Sequence, residues 1–358
     1  MHKKLFIPGP VEVRKEVLNE MALPLIGHRG KDASFLQKNI TDNLKKLFYT
    51  KEEILLSTSS GSGLMEGAIR SCTLKKAAVF SIGAFGNRWY EMAINNNIIA
   101  DKFEKPWGEV FTKEDVDKVL ATGKYDLITI THNETSTGVM SPIEEISNVV
   151  RNYPDIVFCV DAVSSAAGSK LEIDKLGIDI LITSSQKCIG LPPGMAICTF
   201  SAKAIRRAER VSSRGMYFDL LALYRYIKKK EYQYPSTPSI SHMYALDYQL
   251  NYIINIEGIE NRFNRHKELA KITRTWAEKN FELFANKKYL SNTVTTIKNT
   301  RNINFTHLNN ELGKRGFQIS NGYGVLKDKT FRIGHMGDCT MNDLNDLLEN
   351  INEILKLT

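Results

Sequence analysis

Apolar and polar positions alternate in blocks through the first part of the chain. Six short, nearly continuous apolar runs, EILLST, AAVFSI, DLITITH, IVFCVD, DILITSS and MAICTF, lie between about residues 50 and 210. Between them run segments of helical period, such as Leu64 to Cys72, Lys113 to Ala121 and Ile143 to Asn152. A strand covered on both faces has no polar side to alternate with, so this order predicts an α/β fold with a mostly parallel central sheet and helices on both faces. Ligands in such folds sit beyond the carboxyl ends of the strands. Ser59 to Ser62, His132 to Thr135, Asp161 and Lys187 each follow an apolar run, which predicts that they share that edge.

Beyond Tyr234 to Pro238 the pattern changes. A long helical stretch is predicted over Met243 to Asn280, then a β-like TVTTIK, a helix over Asn304 to Gly313 and a strand near Phe331. Thr340 and Asp343 have the spacing of a capping box, and Leu344, Leu347, Leu348, Ile351, Ile354 and Leu355 form one apolar stripe behind it. The 358 residues suit one large domain and a smaller one. The expected division is an N-terminal arm over 1–15, a large cofactor-binding domain over 16–252 and a small C-terminal α+β domain over 253–358.

Composition narrows the classes further. With 42% apolar and 25% charged residues the chain reads as globular rather than disordered or fibrous. No apolar run approaches the ~20 residues of a membrane helix, and the start MHKKLFIPGP is too short in apolar residues for a secretory signal, so a cytoplasmic protein without a membrane partner is expected. The five cysteines, Cys72, Cys159, Cys188, Cys198 and Cys339, form no CxxC pair and keep no company of histidines, which predicts free thiols and no metal site. The net charge of +8 is dispersed except at Lys228 to Lys230, a pattern that favours solubility and anionic substrates over nucleic acid.

The segment LITSSQKCIGLPPG, Leu181 to Gly194, carries the chemistry. It places Lys187 just past an apolar strand, inside a loop of small residues, where desolvation favours the neutral, nucleophilic amine. Asp161 ends another apolar run 26 residues upstream. A cofactor aldehyde that acts as an electron sink needs a lysine for its carbonyl carbon and a carboxylate for its ring nitrogen. Ser60, Gly61 and Ser62 stand between a strand and a helix, where backbone N–H groups and hydroxyls hold a phosphate. No Gly-Lys-Ser/Thr follows, so the segment is not a nucleotide P-loop.

These residues bring out a wider match. The chain resembles the class V pyridoxal-phosphate (PLP) aminotransferases of the alanine-glyoxylate and serine-pyruvate type through LFIPGPVEV, IGHRG, SSGSGLMEG, THNETSTG, VDAVSSAAG, SSQK and FRIGHMG, in that order and over nearly the whole length. The resemblance implies a fold-type I enzyme, with PLP on Lys187 and Asp161 at its ring nitrogen. It implies that Phe85 stacks on the cofactor ring, and that Thr135 and Gln186 hydrogen-bond the cofactor. It further implies that Arg332 clamps the substrate carboxylate, for which a planar guanidinium fork is suited, and that Gly9 presents a backbone N–H to the same group. His28 and Arg29 match the family without a clear role. Tyr234 and Thr237 match residues that relatives lend to the phosphate site of a neighbouring subunit, which implies a homodimer with shared active sites.

The implied activity is transfer of an amino group from a small amino acid, alanine or serine, to a small keto acid, glyoxylate or pyruvate. Donors such as 2-aminoethylphosphonate, aspartate or ureidoglycine stand as alternatives, because they differ in a pocket shape that sequence does not display. Cysteine desulfurases and selenocysteine lyases share the fold but carry a nucleophilic cysteine on the loop before the arginine strand. Ile319 to Thr330 contains none. The intact Lys187 and Asp161 argue against a catalytically silent relative.

Overall fold

The computed structural model of the chain describes residues 2–357. Its centre is a seven-stranded sheet in the order Glu53–Ser57, Ala196–Phe200, Ile180–Ser184, Val157–Asp161, Leu127–Thr131, Ala77–Ser81 and Ala100–Glu104. Neighbours pair in parallel except at Ala196–Phe200, which runs antiparallel to both strands beside it. The mostly parallel sheet of the hydropathy pattern is thus present, with one reversed strand inside it.

All six apolar runs are strands, and their side chains are almost entirely buried on both faces. The seventh strand, Ala100–Glu104, is not visible in the pattern. Its sequence ADKFE is half-exposed and charged because it forms the sheet edge, where charge also discourages pairing with another chain. One face of the sheet packs against helices that include Lys31–Leu47 and Ile240–Asn251. The other packs against Gly61–Cys72, Ala84–Asn95, Ala202–Arg210 and Leu220–Lys229.

The predicted helix over Met243 to Asn280 is two helices, Ile240–Asn251 and Ile259–Asn280. A wide turn over Tyr252–Glu257 and Gly258, at φ +84°, separates them. The longer helix leads to a five-stranded sheet in the order Lys4–Phe6, Phe317–Asn321, Thr330–Gly334, Val294–Lys298 and Glu282–Leu283. The N-terminal strand therefore closes the edge of a sheet otherwise built from the C-terminal part of the chain, pairing in parallel with Phe317–Asn321. The last helix, Met341–Leu355, begins with the predicted capping box: Thr340 Oγ1 accepts from the Asp343 N–H at 3.2 Å, and the Asp343 carboxylate accepts from the Thr340 N–H at 3.0 Å.

Candidate active site

Strand register brings the candidate residues to one edge. Asp161 pairs with Thr131 on one side and Ile182 on the other, so the aspartate lies between the strand leading to Thr135 and the strand leading to Lys187. Lys187 stands in the tight turn Ser185–Ile189, with φ −112° and ψ −131° in the middle of an otherwise helical turn. Its Nζ donates to the carbonyl of Pro8. Burial brings the amine down to about 8, and the guanidinium groups of Arg332 and Arg88 push the same way against Asp161. The ammonium therefore loses its proton more readily than a surface lysine does.

Gly9 lies directly on this side chain. A Cβ there would stand 2.6 Å from Lys187 Cδ and 2.7 Å from its Nζ, at a backbone φ of +101°. The Gly9 N–H donates to the Ile7 carbonyl at 2.8 Å. The amide expected to face a substrate carboxylate is engaged within its own turn in this structure, and residue 9 also leaves space for the lysine. Gly334, two residues after Arg332, admits the same strap, since a Cβ there would meet the Ile7 carbonyl oxygen at 2.4 Å. The N-terminal turn is thus wedged between the lysine loop and the arginine strand.

Asp161 is 4% exposed, and its carboxylate accepts one hydrogen bond, from the Val163 N–H at 2.9 Å. Burial raises its pKa to about 7, helped by Glu134 and opposed by the Val163 N–H, Lys187 and Arg88. A protonated pyridine nitrogen is the kind of partner that would draw this carboxyl back to its charged form.

Ser60 caps the helix Gly61–Cys72 without a side-chain bond to its free N–H groups, and the first turn carries no acid. Two buried polar atoms, Ser184 Oγ at the end of its strand and Gln186 Oε1 in the lysine turn, have no hydrogen-bond partner among the described residues. Ser184 Oγ would lie 3.6 Å from a Cβ on Gly61. Buried polar atoms are rarely left unpaired in a finished interior. A phosphate, which brings acceptors and exchangeable protons to a positive helix end, fits this cradle. Arg88 Nη1 donates to Ser62 Oγ at 3.3 Å, adding a cation that sequence reading did not single out.

Phe85 opens the helix Ala84–Asn95. Its ring has Arg88 at 4.9 Å and Tyr323 at 5.8 Å. The helix start is held by Glu134, fully buried, whose carboxylate accepts from the N–H groups of Phe85 at 3.0 Å, Gly86 at 3.2 Å and Ser136 at 3.1 Å. Thr135 is buried, and its carbonyl accepts from Arg332 Nη1 at 3.0 Å. Arg332 is 8% exposed and also donates through Nε to the Asn321 carbonyl at 3.0 Å. Among the described residues its hydrogen bonds go to carbonyls and no carboxylate pairs with it, and burial lowers it to about 10. Tyr323 stands 5.6 Å from its guanidinium, between the clamp and the Phe85 ring.

Tyr234 and Thr237 are placed differently. The buried Tyr234 hydroxyl accepts from the Thr58 N–H of its own chain at 3.1 Å, next to the phosphate cradle, whereas Thr237 is exposed. Arg29 gains a definite job: it donates to the carbonyls of Tyr234, Pro235 and Ser236, holding this loop. His28 makes no such bond among the described residues. Glu134, Arg88, Ser184 and Tyr323 are the residues that motif reading passed over. Glu134 had a signal, an acid inside a run of small residues, but its partner at Phe85 is 49 residues away.

An α/β fold with an amine, a carboxyl, an uncapped helix end and an unpaired arginine at one strand edge defines an enzyme built around a phosphorylated aldehyde cofactor. The model of the family described as "Aminotransferase class-V" matches residues 17–346, and the chain belongs to that PLP-dependent aminotransferase family. It is 42% identical over 345 residues to an uncharacterized aminotransferase of Methanocaldococcus jannaschii, covering 94% of this chain and 88% of the relative. It is 31% identical to the serine–glyoxylate aminotransferase of Arabidopsis thaliana, over 98% of this chain and 90% of that one. The crystal structure of an alanine–glyoxylate aminotransferase from Nostoc sp. superposes with a TM-score of 0.93 at 27% identity, covering 99% and 96% of the two chains.

Proposed function

We propose that this aminotransferase moves an amino group from a small amino acid, alanine or serine, to a small keto acid, glyoxylate or pyruvate. The observation that carries the reading is Arg332. A buried guanidinium without a carboxylate partner is costly, and with Nε and one Nη1 proton committed to carbonyls it still presents Nη2. A substrate α-carboxylate supplies the missing charge. Glyoxylate stands in the names of the Arabidopsis and Nostoc proteins, which supports it as the acceptor.

PLP, when bound, supplies the electron sink that makes a Cα–H bond acidic. Ser60, Gly61, Ser62 and Gln186 would hold its phosphate end, Phe85 its ring face, Thr135 its polar edge and Asp161 the ring-nitrogen proton. Lys187 would take the proton from the substrate's Cα, hold it and give it back on the same face, a task suited to an amine that burial brings down to about 8. Arg332 and the Gly9 turn fix the substrate over that amine. A lyase acting through a cysteine is disfavoured: the Cys188 thiol beside the lysine donates to the Ser164 carbonyl, and burial pushes it up to about 12.

We further infer a cytoplasmic homodimer with shared sites. Five unpaired thiols suit a reducing compartment. Leu25 and Phe35, 70% and 73% exposed, and Met216, 93% exposed, are large apolar side chains that suit a partner surface near the Tyr234 loop.

The deciding experiment separates half-reactions. Alanine or serine alone should release one equivalent of keto acid per site and stop. Glyoxylate or pyruvate should restore continuous turnover. Sustained release without an acceptor, or sulfide from cysteine, would overturn the transaminase. Success only with 2-aminoethylphosphonate, aspartate or ureidoglycine would replace the donor.

A further inference from the structure

Against the lysine loop lies a second polar cluster that the proposed reaction does not use. Arg262, 0% exposed, donates through Nη1 to Glu257 at 2.6 Å and Asp338 at 2.9 Å, through Nε to the Ala167 carbonyl at 3.2 Å, and through Nη2 to the Cys188 carbonyl at 2.6 Å. Gln249, also fully buried, donates from Nε2 to the Ile189 carbonyl at 2.8 Å and to both Asp338 oxygens. Arg14 closes the group, bonding Asp338 at 2.9 Å and Gln249 Oε1 at 2.7 Å.

Burying Arg262 against two acids contributes little net stability, because desolvation cancels most of the attraction. The geometric effect of the cluster is specific. The carbonyls it grips belong to the two residues that follow Lys187, in a turn whose central residue departs from helical dihedrals. The third grip comes from the N-terminal strap, where the Val11 N–H donates to the Gln186 carbonyl at 3.1 Å. The peptide group before Lys187 and the carbonyls of the two residues after it are therefore held by donors from the arm, from Ile240–Asn251 and from Ile259–Asn280.

We propose that Arg262 and Gln249, aligned by Asp338, are positioning residues for Lys187: by fixing the Cys188 and Ile189 carbonyls they set the backbone conformation from which the amine reaches the reacting carbon. The inference rests on the reading of Lys187 as the cofactor-bearing and proton-moving lysine. Arg265 provides the internal comparison. It shares Glu257 and donates to the carbonyls of Gly337 at 3.0 Å and Cys339 at 2.6 Å, and among the described residues it makes no hydrogen bond to the lysine loop.

Arg262→Lys and Gln249→Leu are compared with Arg265→Lys in the PLP-loaded enzyme. Lysine at 262 keeps the charge against Asp338 and Glu257 but cannot also span to Cys188. Expected for Arg262→Lys are a kcat lower by about ten- to a hundredfold, the scale of a small misplacement of a reacting group, with KM little changed. The pH midpoint of the cofactor's visible absorption should also move by about half a unit or more, as the surroundings of the amine change. Gln249→Leu should move both readouts the same way by less, and decides the matter if the arginine variant does not fold. Arg265→Lys should alter melting only. Parental kcat and midpoint in Arg262→Lys, or in a Gln249→Leu that alone folds, would overturn the proposal, as would equal changes in Arg265→Lys. Borohydride fixation and peptide mapping on the parent enzyme keep the two readings apart. A cofactor fixed elsewhere than Lys187 removes the premise, whereas fixation at Lys187 with unmoved readouts removes only the positioning role.

Discussion

At the scale of single residues, the site is set by charges taken out of water. Burial pushes the Asp161 carboxyl up to about 7 where no cofactor faces it, well above an unfolded aspartate at ~4. The folded state therefore binds the extra proton between those values, and the stability this contributes, full below about pH 4, is lost as pH rises through about 7. Asp161→Asn should remove that loss: its melting temperature should exceed the parent's above pH 7, with the difference vanishing towards pH 4. A pH-independent difference would contradict the raised carboxyl. The same variant should lose most activity, since an amide does not keep a ring nitrogen protonated. Arg332→Lys should weaken carboxylate substrates by about 1.5 to 3 kcal/mol, or about ten- to a hundredfold in affinity. One ammonium cannot hold the Asn321 and Thr135 carbonyls and a carboxylate together. Unaltered KM values for carboxylate donors would remove the clamp.

At the scale of elements, turns and helix ends carry the function while strands carry the spacing. The lysine turn, the Phe85 helix start and the Ser60 helix start all lie where a strand of the large sheet ends. The segment after Leu127–Thr131 ties two of the tasks together: Glu134 holds the backbone of Phe85, and the next residue's carbonyl holds Arg332. The N-terminal turn is as much a part of the site. Gly9→Ala should cost about 1 to 3 kcal/mol for a side chain at positive φ, and the added methyl would press on the flexible end of Lys187 rather than on backbone. The variant should fold, with a lowered melting temperature, and lose at least tenfold in kcat because the amine is displaced. Parental kinetics in a folded Gly9→Ala would show that the turn leaves the lysine free.

At the scale of the whole molecule, two sheets and a strap converge on the strand edge, and a second subunit is expected to complete it. Diluting the loaded enzyme should release PLP as monomers appear, monitored by sedimentation and cofactor fluorescence; full occupancy in a demonstrated monomer would refute a shared phosphate site. Much of this architecture was legible in the chain alone. Six of the seven central strands are apolar runs because both faces of the sheet are covered, and the Thr340 capping box is local, written within four residues. Lys187, Asp161, Ser62 and Arg332 stand out by their position after or within such runs. What sequence could not settle depends on distance along the chain. The edge strand Ala100–Glu104 is only half-covered, so no apolar pattern marks it. The break at Tyr252–Glu257 interrupts a helical pattern that continues on both sides. Glu134 meets Phe85, Arg262 meets Cys188, and Gly9 meets Lys187 across 49, 74 and 178 residues. Periodicity and local chemistry decided the elements and the reactive groups. Only tertiary packing decided which buried charges, carbonyls and glycines hold those groups in place, because a desolvated polar atom finds its partner in space and not in sequence.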